Sequence, residues 1–249
     1  MWNHNVDKPK KMIEDYFFGN PTFIAEKILF VKRDTRLAEY KEYLTDIKEF
    51  GHVWQGLTGT LRSEKVTIIA IGIGPSLVGD VVYALHRPDA ICLYSGTCGG
   101  LYEGLEIGDY FIADQAVCGD GYTLYVGHSP LSVVSGDLAS LRSLKSLLAA
   151  KVDRVDNGIT FTTSSVVREV DDDFWKIVDK QCRIIEMAAA AFYAAALATG
   201  KRAAAYFWVT DLPTRGKSFF EPLAPEDIRI KQERYNRTVS LDLELLSCL

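Results

Sequence analysis

Short apolar runs rich in β-branched residues recur along this chain, at 28–31, 66–71, 90–94, 110–117, 158–163 and 203–210. That recurrence limits the available folds more than any other feature, because such runs, bounded by turn residues, read as buried strands. Stretches of helical periodicity separate them. Residues 35–50 are charged and amphipathic, and 76–86 follow a glycine turn. Residues 137–150 repeat leucine at Leu138, Leu141, Leu144, Leu147 and Leu148, 187–199 are rich in alanine, and 225–246 close the chain. Strands alternating with helices predict an α/β fold with a central mixed β-sheet flanked by helices on both faces. No repeat, linker or low-complexity tail interrupts the 249 residues, so one domain over 1–249 is expected.

Composition removes several classes of function. Hydrophobic residues make up 48% and charged residues 24%, an ordinary soluble balance. The formal net charge is -5 and no basic block stands out, which argues against nucleic acid or an anionic membrane as partner. A small anionic substrate stays compatible, since a pocket needs only a few local cations. The five cysteines, Cys92, Cys98, Cys118, Cys182 and Cys248, form no CxxC pair. No zinc site and no disulfide framework is implied, and reduced thiols fit a cytoplasmic location. Residues 1–11 lack the apolar core of a signal peptide, and the longest apolar run, 187–198, is too short to span a bilayer.

Four constellations sit where ligands of such sheets bind, at the carboxyl ends of strands. Gly72-Ile73-Gly74-Pro75-Ser76 joins a strand to a helix. Its glycines allow close backbone approach and its helix start exposes amides to an anion, although a plain turn has the same pattern. Ser95-Gly96-Thr97-Cys98-Gly99-Gly100-Leu101 reads as a loop of free amides and hydroxyls, a nest for an oxyanion, or as a tight turn with Cys98 as a small filler. In Arg183-Ile184-Ile185-Glu186-Met187-Ala188-Ala189-Ala190 a carboxylate and a methionine precede a helix of small residues. That suits a ligand wall, and equally a helix start where Glu186 complements the dipole. Trp208-Val209-Thr210-Asp211-Leu212-Pro213 puts an acid at the end of a buried strand. Burial there raises a carboxyl pKa and lets it deliver a proton near neutrality; a turn-capping aspartate is the plainer alternative.

In this order and spacing the four pieces resemble the nucleoside phosphorylase and nucleosidase superfamily, over about residues 28–211, with Gly96–Leu101 and Ile107–Ala113 as its most specific part. The resemblance implies phosphate contacts from Gly72, Gly96, Thr97, Arg33 and Arg36. It implies ribose contacts from Thr97, Glu186 and Met187, and base contacts from Val166, Arg168, Cys98, Gly99 and Asp211. Asp211 falls on the acid that protonates the purine ring nitrogen as the base leaves. The reaction it implies needs no metal and no organic cofactor, with orthophosphate as co-substrate and a nucleoside as substrate. It also implies a homo-oligomer (dimer, trimer or hexamer) in which a residue such as His4 of a neighbour can close the pocket.

The chain departs from the family at three places. Ala188 replaces a second carboxylate that grips the ribose hydroxyls, Tyr94 replaces a phosphate-binding arginine, and Arg33-Asp34-Thr35-Arg36 replaces the early Gly-Asp-Pro-x-Arg motif. The leading expectation is a purine nucleoside phosphorylase releasing free base and ribose 1-phosphate. A hydrolytic nucleosidase using water comes second, and a catalytically weakened nucleoside-binding homologue third.

Overall fold

A computed structural model describes residues 10–19, 22–32 and 36–249; Arg33 and His4 lie outside the described residues. In chain order the elements are α1 (Lys10–Phe18), β1 (Lys27–Val31), α2 (Leu37–Lys41), β2 (Thr45–Gly51), β3 (Gln55–Leu61), β4 (Glu64–Ala70) and α3 (Pro75–Ala84). There follow β5 (Ile91–Gly100), β6 (Tyr110–Gly119), α4 (Tyr122–Tyr125), β7 (Val133–Ser135), α5 (Leu138–Ala149) and β8 (Val155–Thr163). A 3-10 turn (Val167–Val170), α6 (Asp172–Trp175), β9 (Ile184–Glu186), α7 (Ala189–Ala198), β10 (Arg202–Asp211), a second 3-10 turn (Pro213–Arg215) and α8 (Pro225–Cys248) complete the chain.

The strands form one mixed sheet. From β5 outward run β1, β4, β3 and β2, with β1 parallel to both β5 and β4 and the last two joined antiparallel. On its other side β5 pairs in parallel with β10 and antiparallel with β9, while β6 links β10 to β8 and β8 links to β9. That circuit closes part of the sheet on itself. Closure makes β5 a central strand, paired along its whole length.

Alternation along each strand divides the apolar residues between two layers. Ile28 and Phe30 of β1 pack with α3 and α7, whereas Leu29 and Val31 pack with α5 and α8. Residues 189–196 of α7 are all buried. The alanines that flank Phe192 and Tyr193 let this helix approach β10, β6 and α3 closely. On the opposite layer, Asp137 caps α5 by accepting from the Ser140 amide, and Leu141, Leu144 and Leu148 face the sheet.

Three sequence expectations need correction. The helix expected over 35–50 is confined to Leu37–Lys41, and Thr45–Gly51 is an edge strand. Its charged side chains face solvent along the edge, with Asp46 at φ 51 and a register break between Thr45 and Lys48. Such charge on an edge strand discourages pairing with other chains, and read linearly it resembles a helix face. The expected loop after Tyr94 is the second half of β5. Cβ atoms at Gly96 and Gly100 would come within 2.8 Å of the Phe207 and Tyr94 rings and of Leu212, so these glycines admit neighbouring side chains to a paired strand. Finally, Ile184–Glu186 is strand β9, and the helix begins only at Ala189. Strands β2, β3, β7 and β9 and helices α1, α4 and α6 were not expected.

Candidate active site

Strands β1, β5 and β10 run parallel, β5 and β10 continue past the end of β1, and over that extension opens a cavity of about 450 Å³. Its walls come from the residues after β1, the glycine half of β5, the end of β10, the turn after β8, the β9–α7 junction and α8.

Asp211 reaches the cavity because of a register break. Trp208 stands opposite Thr97 and Val209 opposite Cys98, but Asp211 stands opposite Gly99, leaving Thr210 as an extra residue. A bulge of this kind re-aims the side chain that follows it. The Thr210 hydroxyl donates to the Cys98 carbonyl at 3.1 Å and to Asp211 Oδ1 at 2.8 Å. Asp211 is 6% exposed. Burial pushes its carboxyl above the usual range, while Thr210, Lys231, the Phe219 amide and Lys32 draw it back. Glu169, in the 3-10 turn after β8, lines the same cavity, and burial together with the Asp211 charge raises it to about 7.

At another wall Lys32, the residue after β1, donates to both the hydroxyl and the carbonyl of Thr97, the latter at 3.3 Å. Arg36 flanks it, held by Glu39 at 3.0 Å and lying 4.1 Å from the centre of the Tyr235 ring. This is the cationic end of the cavity. Below it Asp242 of α8 is fully buried and accepts from the hydroxyls of Tyr40 and Tyr206. Burial raises this carboxyl to about 6 against those stabilising hydroxyls and that of Ser95.

Glu186 and Met187 form a third wall. Glu186 Oε1 accepts from the Thr162 hydroxyl, and Oε2 accepts from the amides of Ala188 and Ala189, the latter at 2.8 Å. Burial pushes this carboxyl up to about 7. One oxygen is held by β8 and the other serves the start of α7, while Met187 offers the cavity an apolar surface. Ala188 is buried and not part of the cavity wall.

Of the residues expected at the site, Gly96, Thr97, Cys98, Gly99, Glu186, Met187, Asp211, Val166 and Arg36 line this one cavity. Gly72 does not; its neighbours Ile73 and Gly74 do. Arg168 also stands outside, with its guanidinium on Asp171 at 2.8 Å. Sequence reasoning missed Lys32, Glu169, Asp242 and the aromatic walls Phe207, Phe219 and Tyr235. Lys32 had one usable signal, its place directly after a buried strand. Glu169 sits in the charged run Arg168–Asp173, which reads as solvated surface.

A mixed sheet that closes on itself, with a carboxyl-lined cavity at its strand ends, is the nucleoside phosphorylase fold. Uridine phosphorylase from Vibrio fischeri matches it with a TM-score of 0.75 over 90% of this chain and 92% of that one, at 15% identity, a likeness of fold alone. The family follows from sequence: the model described as the Phosphorylase superfamily matches residues 28–234, and the chain belongs to that superfamily. A purine nucleoside phosphorylase of the DeoD type from Listeria welshimeri is 30% identical over 201 residues, covering 76% of this chain and 82% of the relative. A 5'-methylthioadenosine/S-adenosylhomocysteine nucleosidase from the same organism is 25% identical over 146 residues, covering 53% of this chain and 63% of the relative.

Proposed function

We propose that the protein is a purine nucleoside phosphorylase. The observation that carries this reading is that Asp211 and the Lys32–Thr97 pair line one cavity of nucleoside size. In the proposed reaction the bond between the anomeric carbon and the base nitrogen breaks, and its electron pair leaves with the base. The sugar carbon becomes oxocarbenium-like. Asp211, whose carboxyl burial raises above the usual range, delivers a proton to the ring nitrogen of the departing purine. Orthophosphate held by Lys32, Thr97 and Arg36 bonds to the sugar carbon, giving ribose 1-phosphate. The cations and hydroxyl hold the anion in line, so the bimolecular step becomes a step within one complex. As proposed, the chemistry uses no metal and no organic cofactor.

Tyr94 favours a second reading, hydrolysis, because an uncharged buried ring stands where phosphorylases carry an arginine. The likeness to a nucleosidase adds to it. Product analysis with adenosine or inosine separates the two. Ribose 1-phosphate formed only when phosphate is supplied is the expected result, and free ribose formed at the same rate without phosphate would overturn phosphorolysis. Absence of cleavage alongside tight nucleoside binding would mark the chain as a binding homologue.

A further inference from the structure

The carboxyls that border the cavity differ in what already occupies them. Both oxygens of Glu186 are taken, by Thr162 and by the amides at the start of α7. Asp242 is taken by Tyr40 and Tyr206. One oxygen of Asp211 is taken by Thr210. Among the described residues none donates a hydrogen bond to the Glu169 carboxyl, although it is half-buried and faces the cavity. A half-buried carboxyl with no protein donor is satisfied by solvent in the open cavity, and a ligand that displaces that solvent must supply a donor in its place.

We infer that Glu169 determines which purine the cavity accepts, by taking a hydrogen bond from the exocyclic amine of a 6-aminopurine while Asp211 donates to the adjacent ring nitrogen. The inference rests on the reading of the cavity as a purine nucleoside site. Its logic is a match of donors and acceptors. Two carboxyls facing one desolvated space resist ionising together, so near neutrality they hold one proton between them, and that proton belongs to the pair. A pair with one proton presents one donor and one acceptor. The five-membered-ring side of adenine presents the complement, the N7 acceptor beside the amine donor, whereas a 6-oxopurine presents two acceptors. Binding an oxopurine in the same pose requires a second proton on the pair.

The charges around the pair set the order in which it titrates. Asp211 is faced by Lys231 from α8, Lys32 from the end of β1, the Thr210 hydroxyl and the Phe219 amide, all favouring its ionised form. Among the described residues the Asp211 charge is what faces Glu169, so the pair keeps one proton up to about pH 7, and a ligand amine offered to Glu169 places that proton on Asp211. As pH falls below that range the second proton enters, and the penalty against an oxopurine shrinks by up to tenfold per unit.

Calorimetric titration with adenine and with hypoxanthine, at pH 7.5 and 5.5, tests this on the intact chain and on E169Q. The wild type is expected to bind adenine about tenfold more tightly at pH 7.5, with a smaller ratio at pH 5.5. E169Q, whose amide both donates and accepts, is expected to bring the two bases within about threefold of each other at both pH values. A merely structural role would weaken both bases alike and leave their ratio unmoved, which would overturn the inference. Equal binding of the two bases by the wild type at pH 7.5 would also overturn it, leaving the purine site intact. Failure of both bases to bind would remove the purine site itself, and the inference with it.

Discussion

The two ends of the cavity each hold a buried acid, and they differ in how it is held. Asp242, fully buried, ties α8 to the Tyr40 hydroxyl of α2 and the Tyr206 hydroxyl of β10. Among the described residues Asp211 has one side-chain donor, Thr210, and its carboxyl neighbour Glu169 has none. Burial raises all three pKa values. The difference lies in partners. An acid gripped by protein hydroxyls fastens helices together, and an acid left partly unpartnered beside empty space has a proton and lone pairs to offer a ligand.

Asp242 gives the largest expected effect and breaks the comparison most directly. Its carboxyl rises from an ordinary 3.8 to about 6 in the folded chain. The folded state therefore holds the proton more tightly, and the associated stability is fully present below pH 4 and lost as pH rises to 6. The loss is on the order of 3 kcal/mol. In Asp242→Asn the slope of unfolding free energy against pH, read from urea curves between pH 4 and 7, should shrink by that share, leaving the part that Glu186 and Glu169 carry. An unchanged slope would assign the fold's pH dependence elsewhere. At the other end, Asp211→Ala should lower purine nucleoside turnover by about 10²-fold, because a general acid contributes 10²–10⁴-fold. Its unfolding free energy should move much less than its rate. Unaltered initial rates would remove Asp211 from the proposed mechanism and erase the contrast with Asp242. The smallest expected effect sharpens the boundary of the site. Arg168→Ala should leave turnover and KM within about twofold, since an exposed pair such as Arg168–Asp171 is worth at most about 1 kcal/mol. A KM rise for the nucleoside alone would bring Arg168 back to the base.

Much of this was legible in the sequence because burial leaves a local trace. β1, β4, β5, β6, β8 and β10 announce themselves as apolar runs, and α5 by its leucine spacing. Asp211 is conspicuous as an acid at the end of such a run. β2 and β9 are not, since one is a charged edge and the other is three residues long, and neither carries a pattern that outweighs its neighbours. The Gly96–Gly100 segment shows the same limit from the other direction. Its glycines look like a turn, and only its pairing with β10 and the side chains packed over those glycines, such as Phe207 and Leu212, reveal a strand.

What the chain determined alone is therefore six of the buried strands, most of the helices that cover them, and the resemblance that gathers four motifs into one family. Tertiary structure decided which polar groups meet. The bulge at Thr210 turned Asp211 to the cavity, the end of β1 delivered Lys32 to Thr97, and the turn after β8 carried Glu169 to the cavity that Asp211 lines. Hydrophobic burial is additive and readable residue by residue. The partners of a buried charge come from distant segments, and no local pattern encodes them.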